Sequence, residues 1–366
     1  MKNKFIWTIV GLVVVLMPYA CASQQETSPI EALTTVTLEE QIDEEPQKLT
    51  VMTHDSFDIS AEILATFENR ENAEIQFLKA GDTGTAANKA ILSKDEPLAD
   101  VFYGVDNTFL SRVLKEDIFE PYDSPLLKQI PDVYKIDPLY RALPVDFGDV
   151  CLNYDKAYFE ENNILPPQSL EDLLKPDFKG LLVVQNPATS SPGLAFLFAT
   201  IGHFGEEGYL EFWQGLADNN VKVVDDWETA YYGEFSRWGG RYPIVVSYGS
   251  SPPFEMIYAE EPMDEPPTEA IISDGSCFRQ IEFVGILKGT KNRSLAEKWV
   301  DFMLSKDFQE DIPLKMYVFP VNENSEMDET FVYYLAIPEE PVYLDPELIA
   351  TNRESWIQAW TETILR

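Results

Sequence analysis

Apolar positions in the first third of the chain recur in two rhythms. Short runs rich in β-branched and aromatic residues, at 49–53 (LTVMT), 73–78 (AEIQFL) and 99–104 (ADVFYG), predict strands. Between them, apolar residues three and four apart (Ile63, Leu64 and Phe67, then positions within 86–93 and 108–115) predict helices. Strand and helix alternating at short spacing is the pattern of an open α/β sheet. Each strand runs into a polar loop: Asp55-Ser56, Gly81 to Thr85, and Asp106-Asn107. Any one of these could simply cap the helix that follows. Together they fall on one sheet edge, where open α/β sheets bind ligands.

The second half repeats the theme. Residues 143–148 (LPVDFG) and 150–155 (VCLNYD) predict a crossing into a second unit. A helix opens at Ser169, with Asp172 in the capping-box position. A buried strand at 181–185 (LLVVQ) delivers 186–193 (NPATSSPG), where Ser191 caps a helix and Pro192 takes its first position. Hydroxyls and free N–H groups at such a start suit an anion, although an ordinary helix start reads the same way. The stretch 225–253 (DDWETAYYGEFSRWGGRYPIVVSYGSSPP) predicts a helix from Asp226 to about Trp238, ended by Gly239-Gly240. A short strand, 244–247, follows, with a loop stopped by Pro252 and Pro253. Periodicity alone assigns Trp227, Tyr231, Phe235 and Trp238 to a core face. Trp227 in the first turn, beside polar loops, favours a cleft wall made of Trp227, Tyr231 and Tyr248, with Phe235 and Trp238 left to the core. Residues 281–287 (IEFVGIL) predict a return strand, 295–303 an amphipathic helix and 356–364 a closing helix.

At 366 residues, with 45% apolar and 13% aromatic residues, the chain can build two compact units. Its net charge of -36 excludes nucleic acid as a partner and suits a cationic or mixed-charge ligand. Met1 to Lys4 is basic, and the thirteen apolar residues 5–17 are too few for a comfortable bilayer span. They predict an export signal over 1–21, with Cys21 after Ala20 as a lipidation site. Residues 22–47 have the acidic, aromatic-poor composition of a flexible tether. The expected location is therefore periplasmic or cell-surface, with a lipid at Cys21 as the sole membrane attachment. Only two histidines, His54 and His203, are present and there is no CxxC, so no metal site is expected. Cys151 and Cys277 are either joined or both free and buried; the residues leave both open. No GxSxG, HExxH or P-loop occurs, so catalytic residues and a cofactor are not expected either.

Residues 49–57 (LTVMTHDSF), 99–107 (ADVFYGVDN), 186–194 (NPATSSPGL), 227–231 (WETAY), 246–252 (VSYGSSP), 312–321 (IPLKMYVFPV) and 354–360 (ESWIQAW) stand in an order that resembles the thiamine-binding periplasmic proteins of bacterial ABC importers, within the type II solute-binding superfamily. The resemblance implies a two-lobed α/β body with a ligand cleft between lobes. Lobe 1 would take 48–147 and 279–366, and lobe 2 148–278, which sets both cysteines near the crossing strands. It implies a monomer that binds thiamine or its phosphates and docks on membrane permease subunits. Trp227, Tyr231, Tyr248 and Tyr317 would stack on the rings, and Asp55 or Asp106 would take the amine and balance charge. Ser56, Asn107, Ser190, Ser191, Ser250 and Ser251 would bond the polar end. Tyr317 stands where the family tends to have tryptophan, and His54 where it has tyrosine. Iron(III), for which Tyr231-Tyr232 would serve, and polyamines are the rival ligands. An exported hydrolase is the remaining alternative.

Overall fold

Strand β1 (Gln47–Thr53) begins at the end of the acidic segment. The computed structural model describes residues 45–365, so the expected signal, Cys21 and nearly all of the tether lie outside the described residues. Onward run α1 (Ala61–Glu71), β2 (Ala73–Lys79), α2 (Thr83–Leu92), β3 (Val101–Asp106), α3 (Leu110–Lys115) and β4 (Phe119–Glu120). Then come β5 (Leu143–Asp155), α4 (Lys156–Asn162), β6 (Leu182–Gln185), α5 (Ser191–Asp218), β7 (Lys222–Val224), β8 (Ile244–Tyr248), α6 (Ser251–Ile257) and β9 (Thr268–Ile271). The chain closes with β10 (Phe278–Leu287), α7 (Arg293–Leu304), α8 (Lys306–Met316), β11 (Phe319–Pro320), α9 (Glu329–Tyr333) and α10 (Pro346–Ile364).

The sheet reads β2-β1-β3-β10-β5-β8-β6-β7, with β4 added to β10, and β9 and β11 to β5. β2, β1 and β3 are parallel, as are β7, β6 and β8, while β10 and β5 run antiparallel to their neighbours. β5 joins the two sets. Its first residues pair with β10, and from Val150 onward it pairs with β8 and β9. β5 and β10 are covered on both faces, yet both carry polar residues among their apolar ones. The buried polar residues, Asp146, Asp149, Asn153 and Asp155 on β5 and Gln280 and Glu282 on β10, each need partners to offset their burial.

Aromatic packing covers the sheet. Phe198 and Trp213 of α5 meet α10, with Trp213 edge-on to Trp360 at 5.5 Å and Phe198 edge-on to Trp356 at 5.7 Å. On another part, Trp299 of α7 meets Phe67 of α1 edge-on at 4.9 Å. Helix α5 is broken at Gly205, whose φ of 75° is left-handed and suits glycine. Cys151 and Cys277, 126 residues apart, are joined by a disulfide, with their Cα atoms 4.4 Å apart.

Three local expectations are corrected. The span 226–238 is not one α-helix: Thr229–Glu234 is a π-turn, with the Phe235 N–H bonded five residues back to Ala230, then a break and a short 3₁₀ turn at Ser236–Trp238. Trp238 is 43% exposed rather than core, because the break turns it outward, where Arg237 lies over its ring. Pro252 and Pro253 do not stop a loop but occupy the first turn of α6, where a missing N–H costs nothing.

Candidate ligand-binding cleft

The ends of β1, β2, β6, β7 and β8 and the C-terminus of α8 converge on a cleft of about 210 Å³. From the β1–α1 loop come His54, Asp55, Ser56 and Asp58, and from the start of α2 Asp82 and Thr83. β10 contributes Glu282 to the floor. The facing wall is built from Ser191 and Pro192 at the head of α5, Trp227, Glu228 and Tyr232 on the π-turn segment, and Tyr248 at the end of β8. Lys315, Met316 and Tyr317 close the rim at the C-terminal end of α8. Small residues permit the close approaches. A Cβ on Gly104 (φ +97°) would sit 2.3 Å from His54 Cδ2, so the imidazole can lie against β3 because no side chain is there.

The facing walls are bonded to each other. Asp82 Oδ1 accepts from Thr83 N (2.7 Å), capping α2, while Oδ2 accepts from Trp227 N (3.1 Å). Gly84 N donates to Thr189 O at 3.0 Å. Gln280 Nε2 donates to Ser191 Oγ (2.9 Å), and Tyr232 and Tyr317 share a hydroxyl bond of 2.9 Å.

Six of the twelve ligand residues expected from sequence line the cleft: Asp55, Ser56, Ser191, Trp227, Tyr248 and Tyr317. Trp227 is held by an indole N–H bond to Ser247 Oγ (3.1 Å) and Tyr248 by a hydroxyl bond to Gln280 Oε1 (3.2 Å). The other six stand behind the surface. Tyr231 stacks under Trp227 (4.9 Å, 12° between planes) and gives its hydroxyl to buried Glu255, which Arg237 Nε also reaches at 3.0 Å. The π-turn is the cause. It brings the side chain five residues on, Tyr232, edge-on to Trp227 at 5.5 Å and out to the cleft. Asp106 lies fully buried below the floor, taking Thr108 Oγ1 (2.6 Å), the N–H groups of Thr108 and Phe109, and Gln280. Asn107 cross-links β3 to β10 through Arg279 O and Ile281 N. Ser190 is buried at the head of α5 with its hydroxyl facing Asp82. Ser250 donates to Tyr317 O, and Ser251 Oγ bonds Ser247 (2.9 Å) and Tyr248 N (3.3 Å).

Reading the sequence missed Asp82, Glu228, Tyr232, Glu282 and the Lys315-Met316 pair as lining. For Glu282 a signal existed: an acid inside the apolar run 281–287 demands a reason. Tyr232 stood out in sequence only as half of the Tyr231-Tyr232 pair weighed for iron(III), since helical periodicity turns it away from Trp227's face.

The floor is acidic and buried. Tyr103 OH, itself buried, lies 2.6 Å from Asp146 Oδ2 and 3.1 Å from Glu282 Oε2. Burial, reinforced by Asp106, pushes Glu282 up to about 8, and burial with Glu282 alongside raises Asp146 well above the usual carboxylate range. Burial also raises Asp82 and depresses His54. An aromatic wall over uncompensated carboxyls is suited to a flat cation. Among the described residues no group of three or more His, Cys, Asp or Glu is placed to hold a metal, and the hydroxyls of Tyr231 and Tyr232 turn to different partners.

Residues 96–334 match the family of bacterial extracellular solute-binding proteins. The chain is 30% identical over 323 residues to the thiamine-binding periplasmic protein of Salmonella typhimurium, covering 87% of this chain and 94% of that one. With the thiamine-binding periplasmic protein of Escherichia coli it shares 29% identity at the same coverage. In three dimensions it resembles a periplasmic thiamin binding protein (TM-score 0.77, 26% identity, 88% of this chain and 97% of that one). A ferric binding protein from Campylobacter jejuni shares the fold (TM-score 0.69, 19% identity, 86% and 99% covered).

Proposed function

The chain belongs to the bacterial extracellular solute-binding proteins, and we propose on that footing that it is the extracytoplasmic component of an ABC importer for thiamine or thiamine phosphates. The lobes would be those drawn from sequence, hinged at β5 and β10, and the closed form would dock on the permease. Attachment of the exported protein through a lipid on Cys21 belongs to the same proposal, as does the monomeric state.

One observation carries the ligand assignment: Trp227, Tyr232, Tyr248 and Tyr317 face a buried carboxyl floor across a cleft of small-molecule size. A thiazolium is flat and positively charged, so ring faces and carboxyls both act on it. Each ring contributes on the order of 0.5–2 kcal/mol to a desolvated cation. The aminopyrimidine would meet Asp55 and Ser56, and a hydroxyethyl or phosphate end the Ser191 side at the head of α5. No residue here requires chemistry on the ligand, in keeping with the related solute-binding proteins.

Calorimetry of the mature chain with thiamine, thiamine monophosphate, thiamine diphosphate, spermidine and iron(III) tests this. Tight binding of a thiamine form, recovered unaltered, is expected. No heat with any thiamine form would overturn it.

A further inference from the structure

Strand β10 lies between β3 and β5, and its register sets Glu282 opposite Asp106 on one side and Asp146 on the other. Directly opposed residues of antiparallel neighbours project from one face. Three carboxyls therefore form a row across the sheet, and none is more than 6% exposed. Asp106 is satisfied by Thr108, Phe109 N and Gln280. The other two are not. The Tyr103 hydroxyl lies within reach of both Asp146 Oδ2 and Glu282 Oε2, and the two carboxyls bond each other, which requires a proton on one of them. Asp146 Oδ1 has no donor, and buried His54 Nε2, without a hydrogen-bond partner, stands 3.6 Å from Glu282 Oε1.

Among the described residues no lysine or arginine forms an ion pair with the row, although the Arg353 guanidinium on α10 lies near enough to Asp106 to interact with it. The groups facing Glu282 are Asp106 and Tyr103 from β3, Asp146 from β5, His54 from the β1–α1 loop, Asp82 from the start of α2, and the Tyr248 hydroxyl from β8. Lys79 and Lys315 stay at the rim, on Asp55 O (2.8 Å) and Asp58 (3.3 Å). Ionised together, the row would bury like charges side by side, which burial penalises.

We propose that the Glu282–Asp146 pair holds a proton in common while the cleft holds no ligand and yields it when a cationic ligand enters, making the pair the element that selects for ligand charge. The carboxyl O–H bond breaks, its electron pair stays on the carboxylate, and the proton passes to solvent. The ligand's positive charge takes the proton's place. This rests on the thiamine reading above and adds proton exchange to it. With Glu282 pushed up to about 8 and Asp146 raised by the same burial, the pair holds a proton at pH 7. Linkage sets the sign. Binding that lowers a raised pKa releases a proton, so affinity climbs with pH up to about 8 and levels above it.

Calorimetry with thiamine at pH 7, in phosphate and in Tris, reads the protons released as the difference in apparent heat. About 0.9 proton per ligand is expected, with close to a tenfold gain in affinity from pH 6 to 7. The Glu282→Gln variant should release almost none and lose the pH slope. Infrared spectra of the wild-type protein read the same proton directly: a protonated-carboxyl band that titrates near pH 8 and fades on adding thiamine. Thiamine binding without proton release or band loss overturns the inference while leaving the proposed function intact. No thiamine binding at any pH defeats the function. The ligand-free titration then still decides the proton: no band at pH 7, or an undiminished band in Glu282→Gln, overturns it.

Discussion

Removing the Cys151–Cys277 bond should separate stability from binding. The two residues are 126 apart, so the bond closes a loop holding nearly all of β5's second half through β9. Chain-entropy estimates for a loop of that length give roughly 5 kcal/mol, the restriction falling on the unfolded chain. Unfolding entropy of ~2.1 cal/mol/K per residue over roughly 320 residues is ~0.7 kcal/mol/K, so the melting temperature should fall by about 7 °C. Both cysteines are buried and neither lines the cleft. Thiamine affinity well below the melting point should therefore stay within about threefold. The assay is a thermal melt of the C151A/C277A double variant, and of the wild type with and without reductant, beside calorimetry at 15 °C. A melt within 2 °C of the oxidised wild type would refute the loop-closure reasoning. A large affinity loss with a small melting shift would refute the separation, and would mean that the bond sets the cleft's shape.

The two adjacent tyrosines should part company. Tyr232→Ala removes a cleft ring and its bond to Tyr317, and should weaken thiamine binding about five- to thirtyfold at nearly unchanged melting temperature. Tyr231→Phe strips a donor from buried Glu255, and should cost about 1–3 kcal/mol of stability with affinity nearly unchanged; denaturant titration and calorimetry read the pair, and swapped effects would refute the placement. At Gly84 a Cβ would fall 2.6 Å from Thr189 O across the cleft and 2.7 Å from Phe109 Cζ. Gly84→Ala should hold the walls apart and cost at least tenfold in affinity by calorimetry, so wild-type affinity would show that the walls need not meet there.

Much of the scaffold was legible because periodicity and turn chemistry act locally. The strands of the first third and the crossing at 143–155 follow from apolar runs alone, and the loops after them share the expected edge. The cleft was half legible. Strand-end position located Asp55, Ser56, Tyr248 and Ser191, but it could not say which neighbouring side chain turns inward. A π-turn exchanged Tyr231 for Tyr232, a choice made by tertiary packing against Trp227 rather than by intrinsic preference. Asp106 went under the floor because its own N-terminal turn and Gln280 take its oxygens. Glu282 announced itself in sequence only as an anomaly within a strand. Its significance needed the register that aligns it with Asp106 and Asp146.

The bonds of Gly84 N to Thr189 O and of Trp227 N to Asp82 Oδ2 join the two walls through groups that are mainly backbone. In the proposed closing of the lobes they would act as a clasp whose closing force the ligand does not supply. At about 0.5–1.5 kcal/mol for the neutral bond and about 1.5–3 for the one to a carboxylate, the clasp favours shutting by roughly thirtyfold or more. On the proposed function, a captured molecule would wait for these bonds, and those of Gln280 to Ser191 and Tyr232 to Tyr317, to part before it could leave. Dwell time thus carries a factor common to all ligands, and the rings and carboxyls only rank one ligand against another. A transporter fed by such a protein would meet its cargo in a container whose timer is built into the chain.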